Sequence, residues 1–426
     1  MSALEIKFSE IKKKFKDAEW ECVFSTSDNS RLTLDNKDFG TPINNNSGSL
    51  IVRVLLPGNK VGLSASTTPS RFIECFANAY KTAKVTPKRS INVPISSKKN
   101  LSKVHDCFKN FKEEELFNLL NEVRALIDNK APLLESGVSK VSHKIEYYNS
   151  NGSALSFNES GVSLGVSVGD GDRVGSGSST LTFKMPSAKF VVSEALEQYD
   201  WSKNKVKVKK GNYDVLFTPN CLGVVLQPIL SSLTGESVVE KKSHYIGGVG
   251  RKILSDNLTI TDNPFGRNNL SYFDSEGNAS KKNVLVKGGV LKTFLHDAYT
   301  SKVLNAKNTH NSGSILVKPS VSFFNPEIRG KDNYDAMIGG MKKGFIFFDL
   351  YPSHVVNNIT GAFGLNSSTF YYVENGEIKG LAYGGVVTGN SFEMFKDITE
   401  ISKETRFDIG NFDFPAVKTK SFILTD

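Results

Sequence analysis

Between Thr218 and Glu236 the apolar residues Leu222, Val225, Leu226, Ile229, Leu230 and Leu233 recur at i, i+3, i+4, i+7, i+8 and i+11. That spacing is one continuous face of a 3.6-residue helix. Thr218 and Pro219 predict its start, since a threonine hydroxyl can cap free amides and a proline at the first position gives up an amide that has no partner there. Gly235 predicts its stop. The opposite face carries Gly223, Gln227, Ser231 and Thr234, and none of these is a good zinc ligand, because zinc takes thiolate, imidazole or carboxylate. Pro228 loses the bond to the Val224 carbonyl at a cost of about 3 kcal/mol and predicts a kink near Val224.

Elsewhere the pattern alternates between periods. Residues 1–20 read as an amphipathic helix through Leu4, Ile6, Phe8, Ile11 and Phe15. Strands are predicted at Glu21–Thr26, Arg31–Leu34, Leu50–Leu56 and Val61–Ala65, then a helix over Pro69–Ala83, then a loop marked by Pro87, Pro94 and residues 96–100. Phe111–Asp128 is a helix with three glutamates at 113–115 in its first turn, where they suit the positive end of the dipole. Val138–Phe183 alternates like an antiparallel meander, with turns at 149–152 and 169–172, and Pro186–Tyr199 is helical. Short strands follow at Asp214–Phe217, Asn283–Lys287, Val290–Leu295, Phe345–Leu350, Thr369–Glu374 and Ile378–Val387, with a helix near 296–304 and a tight hairpin turn at 375–377. The fold class is α+β: an N-terminal domain of antiparallel strands with packed helices, then a mainly β C-terminal domain, barrel- or sandwich-like.

Composition adjusts this picture in three places. A chain of 426 residues exceeds the usual single core of about 250, so two domains are expected, at 1–205 and 206–426. No apolar run approaches the roughly 18 residues of a membrane span, and the N-terminus lacks the apolar core of a signal peptide, so a cytoplasmic location is expected. Cys22, Cys75, Cys107 and Cys221 are scattered without CxxC spacing, which predicts reduced, inert thiols. The net charge of +9 invites a nucleic-acid reading. Yet the lysines form separate short clusters, and the densest, Lys203–Lys210, alternates with Val206 and Val208 as a half-buried edge strand would. Without interleaved aromatics or a nucleic-acid motif, the charge reads as solvated faces.

Three segments then resemble the TldD/TldE (PmbA) metalloprotease family: SYFDSEGNASKKNVLVKGGVLKTFLHDAYTSKVLNAKNT at Ser271–Thr309, NITGAFG at Asn358–Gly364, and FYYVENGEIKGLAYGGVVTGN at Phe370–Asn390. Each is modest alone; their order and spacing together are specific. The resemblance implies a HExxxH helix in TldD-type members, whose histidines bind zinc and whose glutamate is the general base, with a later cysteine as a further ligand. Anchored on residues 223–226, this sequence has Gln227 and Pro228 at the His and Glu positions and Ser232 at the second His, and no cysteine follows Cys221. It is therefore similar to the TldE/PmbA type, which pairs with a zinc-bearing TldD-type subunit.

The remaining chemistry is sparse. Of the six histidines none forms HExxH or HExxxH, and the pair most worth testing is His296 and His310, with Asp297 close by, flanking a helix inside the best-matching segment. The loop at 169–178, GDGDRVGSGS, lies between two strands and lacks the P-loop ending, so it reads as a hairpin loop. Asp297, Tyr299 and Asn311 sit at recognisable positions of the family pattern, where holding the β domain together competes with peptide contact. The expectation is a TldE-like subunit of a TldD/TldE-type metallopeptidase complex acting on small or unfolded peptides, a heterodimer in which this chain holds no metal or cofactor and the partner holds zinc. The alternatives are a hydrolase with a metal site rebuilt around other residues, and a basic nucleic-acid-associated regulator of the gyrase-modulator kind.

Overall fold

The computed structural model describes residues 8, 10, 11, 13, 15–35, 38–88, 95–105, 107–108, 111–182, 184–266, 270–315, 320–350, 356–404 and 414–425. The helix expected over residues 1–20 lies largely outside them; residues 8, 10, 11 and 13 are helical, and Ile11 is buried beside Trp20 and Phe76 in one apolar cluster.

The N-terminal half is an eight-stranded sheet built on very long strands. Glu19–Asp35 runs unbroken for 17 residues where two short strands were expected. Asp28, Asn29 and Ser30 look like a turn, but they pair with residues 44–46 on one side and 140–142 on the other, so their backbone groups are satisfied in the ladder. The meander resolves into Leu133–Asn149, Ala154–Gly169 and Val174–Leu181, antiparallel throughout. Asn100–His105, which begins at the last residue of the expected loop, is a strand that pairs in parallel with residues 154–159. It has no apolar alternation because it forms an edge, where exposed polar residues such as Lys103 suit it. Helices Phe72–Val85, Glu113–Ile127 and Ala188–Trp201 cover one face of this sheet. They bury Phe72 and Phe76 in one cluster, and Leu120, Val123, Val191 and Ala195 in another.

The C-terminal half holds a nine-stranded mixed sheet and a smaller four-stranded one. In the larger, Gly211–Phe217 lies centrally, parallel to Lys343–Phe347 and antiparallel to Val417–Thr425. Its terminal strands do not pair with each other, so the sheet is open and no closed barrel forms among the described residues. The Lys-rich run contributes only Lys205–Lys207, at that sheet's edge. The predicted hairpin at 375–377 is present, with Asn375 and Gly376 at φ 53° and 78°, as such a two-residue turn requires.

The helix read first from the sequence spans Pro219–Ser232 and lies in the largest apolar cluster, where Leu222, Val225, Leu226, Ile229 and Leu233 are fully buried. Two details differ from expectation. Thr218 makes no side-chain cap bond; it is buried, with its hydroxyl turned to the Cys221 thiol. Gly235 does not stop the helix. Leu233 ends it, and Thr234 caps a second short helix, Gly235–Val239, by accepting the Ser237 amide at 3.2 Å. Pro228 leaves the helix continuous to Ser232.

Candidate functional site

The three positions at which the sequence departs from a metal motif point in different directions. Gln227 is exposed, whereas Pro228 and Ser232 are buried. Ser232 is bound on both sides by the segment after the second helix: its hydroxyl accepts the His244 amide at 3.3 Å, and its carbonyl accepts the Ser243 hydroxyl at 2.7 Å. The imidazole of His244 then lies flat on Phe392, with centroids 4.0 Å apart and planes 5° from parallel. Phe392 is held in turn by Asn390, whose side chain accepts the Phe392 amide at 2.9 Å and donates to the Thr360 carbonyl at 2.7 Å. Gly361, at φ +76°, approaches that ring so closely that a Cβ there would stand 2.6 Å from it.

The segment Ser271–Asn311 forms a second, polar knot. Asp297 caps helix Ala298–Val303, accepting both the amide and the hydroxyl of Thr300 at 2.7 Å. His296 is buried beside it: its amide donates to the Thr309 hydroxyl at 2.6 Å and its ring packs against Gly235. His310 adopts φ +62° and its ring bonds the Ala279 carbonyl at 2.7 Å. The two imidazoles are thus engaged separately, and burial lowers the pKa of each, which keeps both neutral. Asn311 donates to Asp262 at 2.6 Å and accepts from Asn283 at 3.1 Å. Asp262 also takes the Phe324 and Asn325 amides at 2.9 Å, and burial pushes its carboxyl up to about 6. Tyr299 is half-buried on the same short helix. Among the described residues no three His, Cys, Asp or Glu side chains stand where they could hold a metal ion. His354 lies outside those residues.

The knot touches the N-terminal sheet through the turn at 274–278. Glu276 reaches across to Arg53, 4.0 Å away, while accepting the Ala298 amide at 3.1 Å. Arg53 is paired with Glu21, whose other carboxylate oxygen accepts the Tyr147 hydroxyl at 2.7 Å. Burial disfavours the guanidinium, but Glu21 and Glu276 outweigh it and hold its pKa above the ordinary value. Burial, and then the neighbouring Asp274, push Glu276 up to about 8; burial pushes Asp274 to about 6. Beside this junction a cleft of about 250 Å³ opens between the sheet face at Val23, Ile145 and Phe157 and the segment 270–275. Neither the Arg53 junction nor the cleft was foreseen, because both depend on strand register, which pattern does not fix.

Family models described as the PmbA/TldA metallopeptidase central and C-terminal domains match residues 108–202 and 210–425. The chain belongs to the PmbA/TldD family. Metalloprotease PmbA of Escherichia coli is 29% identical over 197 residues, an alignment covering 45% of this chain and 42% of that protein, less than half its length. The zinc metalloprotease TldD homolog of Saccharolobus solfataricus is 26% identical over 333 residues, 72% of this chain and 73% of that protein. The crystal structure of TldE from Thermococcus kodakarensis superposes over 100% of both chains with a TM-score of 0.86 at 21% identity, which shows a common fold.

In this PmbA/TldD fold the segments that carry the family resemblance have visible structural tasks. Residues 358–364 and 389–390 meet at Phe392, beneath His244 and next to the Pro219–Ser232 helix; the 271–309 segment supplies the junction with the N-terminal sheet. The loop at 169–172 is a hairpin turn, with Asp170 accepting the Arg173 amide at 2.8 Å and the Tyr199 hydroxyl at 2.8 Å. All four cysteines are free; Cys22, Cys75 and Cys221 are buried and Cys107 is exposed. No helix among the described residues is long and apolar enough to cross a membrane.

Proposed function

We propose that this chain is the TldE-like, zinc-free subunit of a TldD/TldE-type metallopeptidase, with 1–205 and 206–426 as its two domains and a TldD-type subunit supplying zinc and hydrolysis. The observation that carries this reading is local. At the helix where the family resemblance implies HExxxH, an exposed amide, a proline and a serine stand at positions 227, 228 and 232, and Ser232 is already committed to the 243–244 segment. Neutral amide and hydroxyl groups are poor zinc ligands beside imidazole or carboxylate, so the residues present do not fit the ion. The helix itself keeps its apolar face and its place in the core, which supports a retained scaffold. In this reading the complex acts in the cytoplasm on small or unfolded peptides, as a heterodimer.

The test is purification of the chain from its source followed by identification of what accompanies it and by metal analysis. A co-purifying HExxxH-bearing relative, with peptidase activity and zinc only in the mixed complex, is the expected result. Stoichiometric zinc and activity in the chain alone would overturn the proposal.

A further inference from the structure

The cleft beside the junction has a chemistry of its own. One wall is the sheet face opposite the covering helices, where the cross-strand rows Val23–Tyr147–Leu155 and Ser25–Ile145–Phe157 are followed by Ser27–His143–Glu159–His105. The facing wall is Phe273 with Ser275 and Ser322. Apolar groups therefore line much of the cleft, and Glu159 is the carboxylate of its sheet wall.

Glu159 is the unusual group. One carboxylate oxygen accepts the Leu270 amide at 3.2 Å; among the described residues the other has no protein partner. The histidines flanking it in register are turned to other uses or neutral: His105 bonds the Tyr272 hydroxyl, and burial lowers the His143 pKa. Burial raises the Glu159 pKa while the Leu270 amide works against it, and among the described residues lining the cleft there is no lysine, arginine or histidine. The second carboxylate in the wall, Asp274, is occupied by the Glu276, Asn278 and Ser312 amides. A site with one available carboxylate, hydroxyls and an apolar wall suits an organic ammonium next to an apolar side chain better than a metal ion, which would gather several oxygen or imidazole ligands.

We infer that this cleft binds the first residue of an extended peptide, its free α-ammonium on Glu159 and its apolar side chain against Val23, Ile145 and Phe157. This deepens the peptidase-subunit reading and rests on it for the substrate class. The volume of about 250 Å³ fits one residue rather than a folded segment. The rest of the peptide leaves over the adjoining rows of the same sheet face, where Ser139 faces Ser163 and Gly137 faces Gly165, side chains small enough to let a backbone lie close.

Calorimetry on the full chain without any partner tests this, with the peptide Leu-Ser-Ala-Ala carrying a free or an acetylated amino terminus. The free form should bind about tenfold more tightly, the ratio that one pKa unit of differential interaction represents. Glu159→Gln should abolish the preference, and Phe157→Ala should weaken both forms while keeping it. Equal affinity of the two peptides for the wild-type chain, or no binding of either, overturns the inference without touching the partner reading, which is judged by co-purification. Should Glu159→Gln fail to fold, leucine amide and N-acetyl-leucine amide are compared as competitors on the wild-type chain: stronger competition by the free amine supports the site, and equal competition overturns it.

Discussion

The apolar face of the Pro219–Ser232 helix and the Arg53 junction are both buried, yet they are held together by opposite physics. Around the helix, five aliphatic side chains are sealed in an apolar cluster and the polar groups sit at its rim. At the junction, Glu21 and Glu276 gather about one arginine with Asp274 beside Glu276, and the strands and turns that bring them there come from positions 21, 53 and 274–276. An apolar surface tolerates loss of one contact by a graded amount. A buried ionic group does not, since removing one member leaves charge without a partner.

The largest expected effect is therefore at Arg53. Arg53→Met should destabilise the chain by about 3–5 kcal/mol, because the Glu21 carboxylate is left buried without its ion-pair partner. Urea unfolding with the m-value checked for a single transition measures it, and a loss below about 1 kcal/mol would show that the junction is wetter than its burial indicates. Removing the carboxylates together with the cation, Arg53→Met with Glu21→Gln and Glu276→Gln, should recover much of that loss.

The same junction predicts a pH dependence. Glu276 titrates near 4.5 when unfolded and is pushed up to about 8 in the fold, so between those values the folded state holds a proton that the unfolded chain has released. Its contribution to stability is therefore fully present below about pH 4.5, is lost as the pH rises towards 8, and levels off above that. Asp274 acts in the same direction between about 4 and 6. Glu276→Gln should flatten the wild-type decline between pH 5 and 8 in chemical-denaturation curves; an unchanged slope would assign the decline to other groups.

Gly277 ranks next. It sits at φ +71° with the Tyr147 ring where a Cβ would go, and Tyr147 is wholly buried, so it has no room to yield. Gly277→Ala combines left-handed strain with that collision and should cost about 1–3 kcal/mol. A thermal melt suffices to check it, with Gly171→Ala as the control, since that glycine is also left-handed but meets nothing within 4 Å.

How much of this was legible follows the same division. The helix face was readable to the residue because its signal is local: Leu222 to Leu233 recur within one segment at one period. The long strand Glu19–Asp35 was read as two, because Asp28, Asn29 and Ser30 are turn formers by local chemistry and are overruled by neighbours from 44–46 and 140–142. Asn100–His105 carried no apolar period at all; its strand is imposed by the edge it joins. The row His143–Glu159–His105 and the contact between Arg53 and Glu276 needed register across separate strands, which no window of sequence contains. Asp297 and Asn311 were recognisable as positions, but only the structure shows them capping a helix and tying Asp262 to Asn283.

The smallest effects lie at the helix, and they sharpen the contrast most. Ser232→Ala removes the acceptor of the His244 amide at 3.3 Å but keeps the carbonyl bond to Ser243, so a loss of about 1 kcal/mol is expected. Gln227→Ala should change stability by less than about 0.5 kcal/mol, for the side chain is exposed and alanine favours the helix. If the chain is the zinc-free partner, Gln227→Ala should also leave the peptidase rate of the mixed complex within twofold of the unaltered one. A rate drop of tenfold or more with stability intact would mean that Gln227 reaches the reacting centre from this side. The helix would then be a catalytic element with altered chemistry, and its likeness to an inert scaffold would end at its buried face.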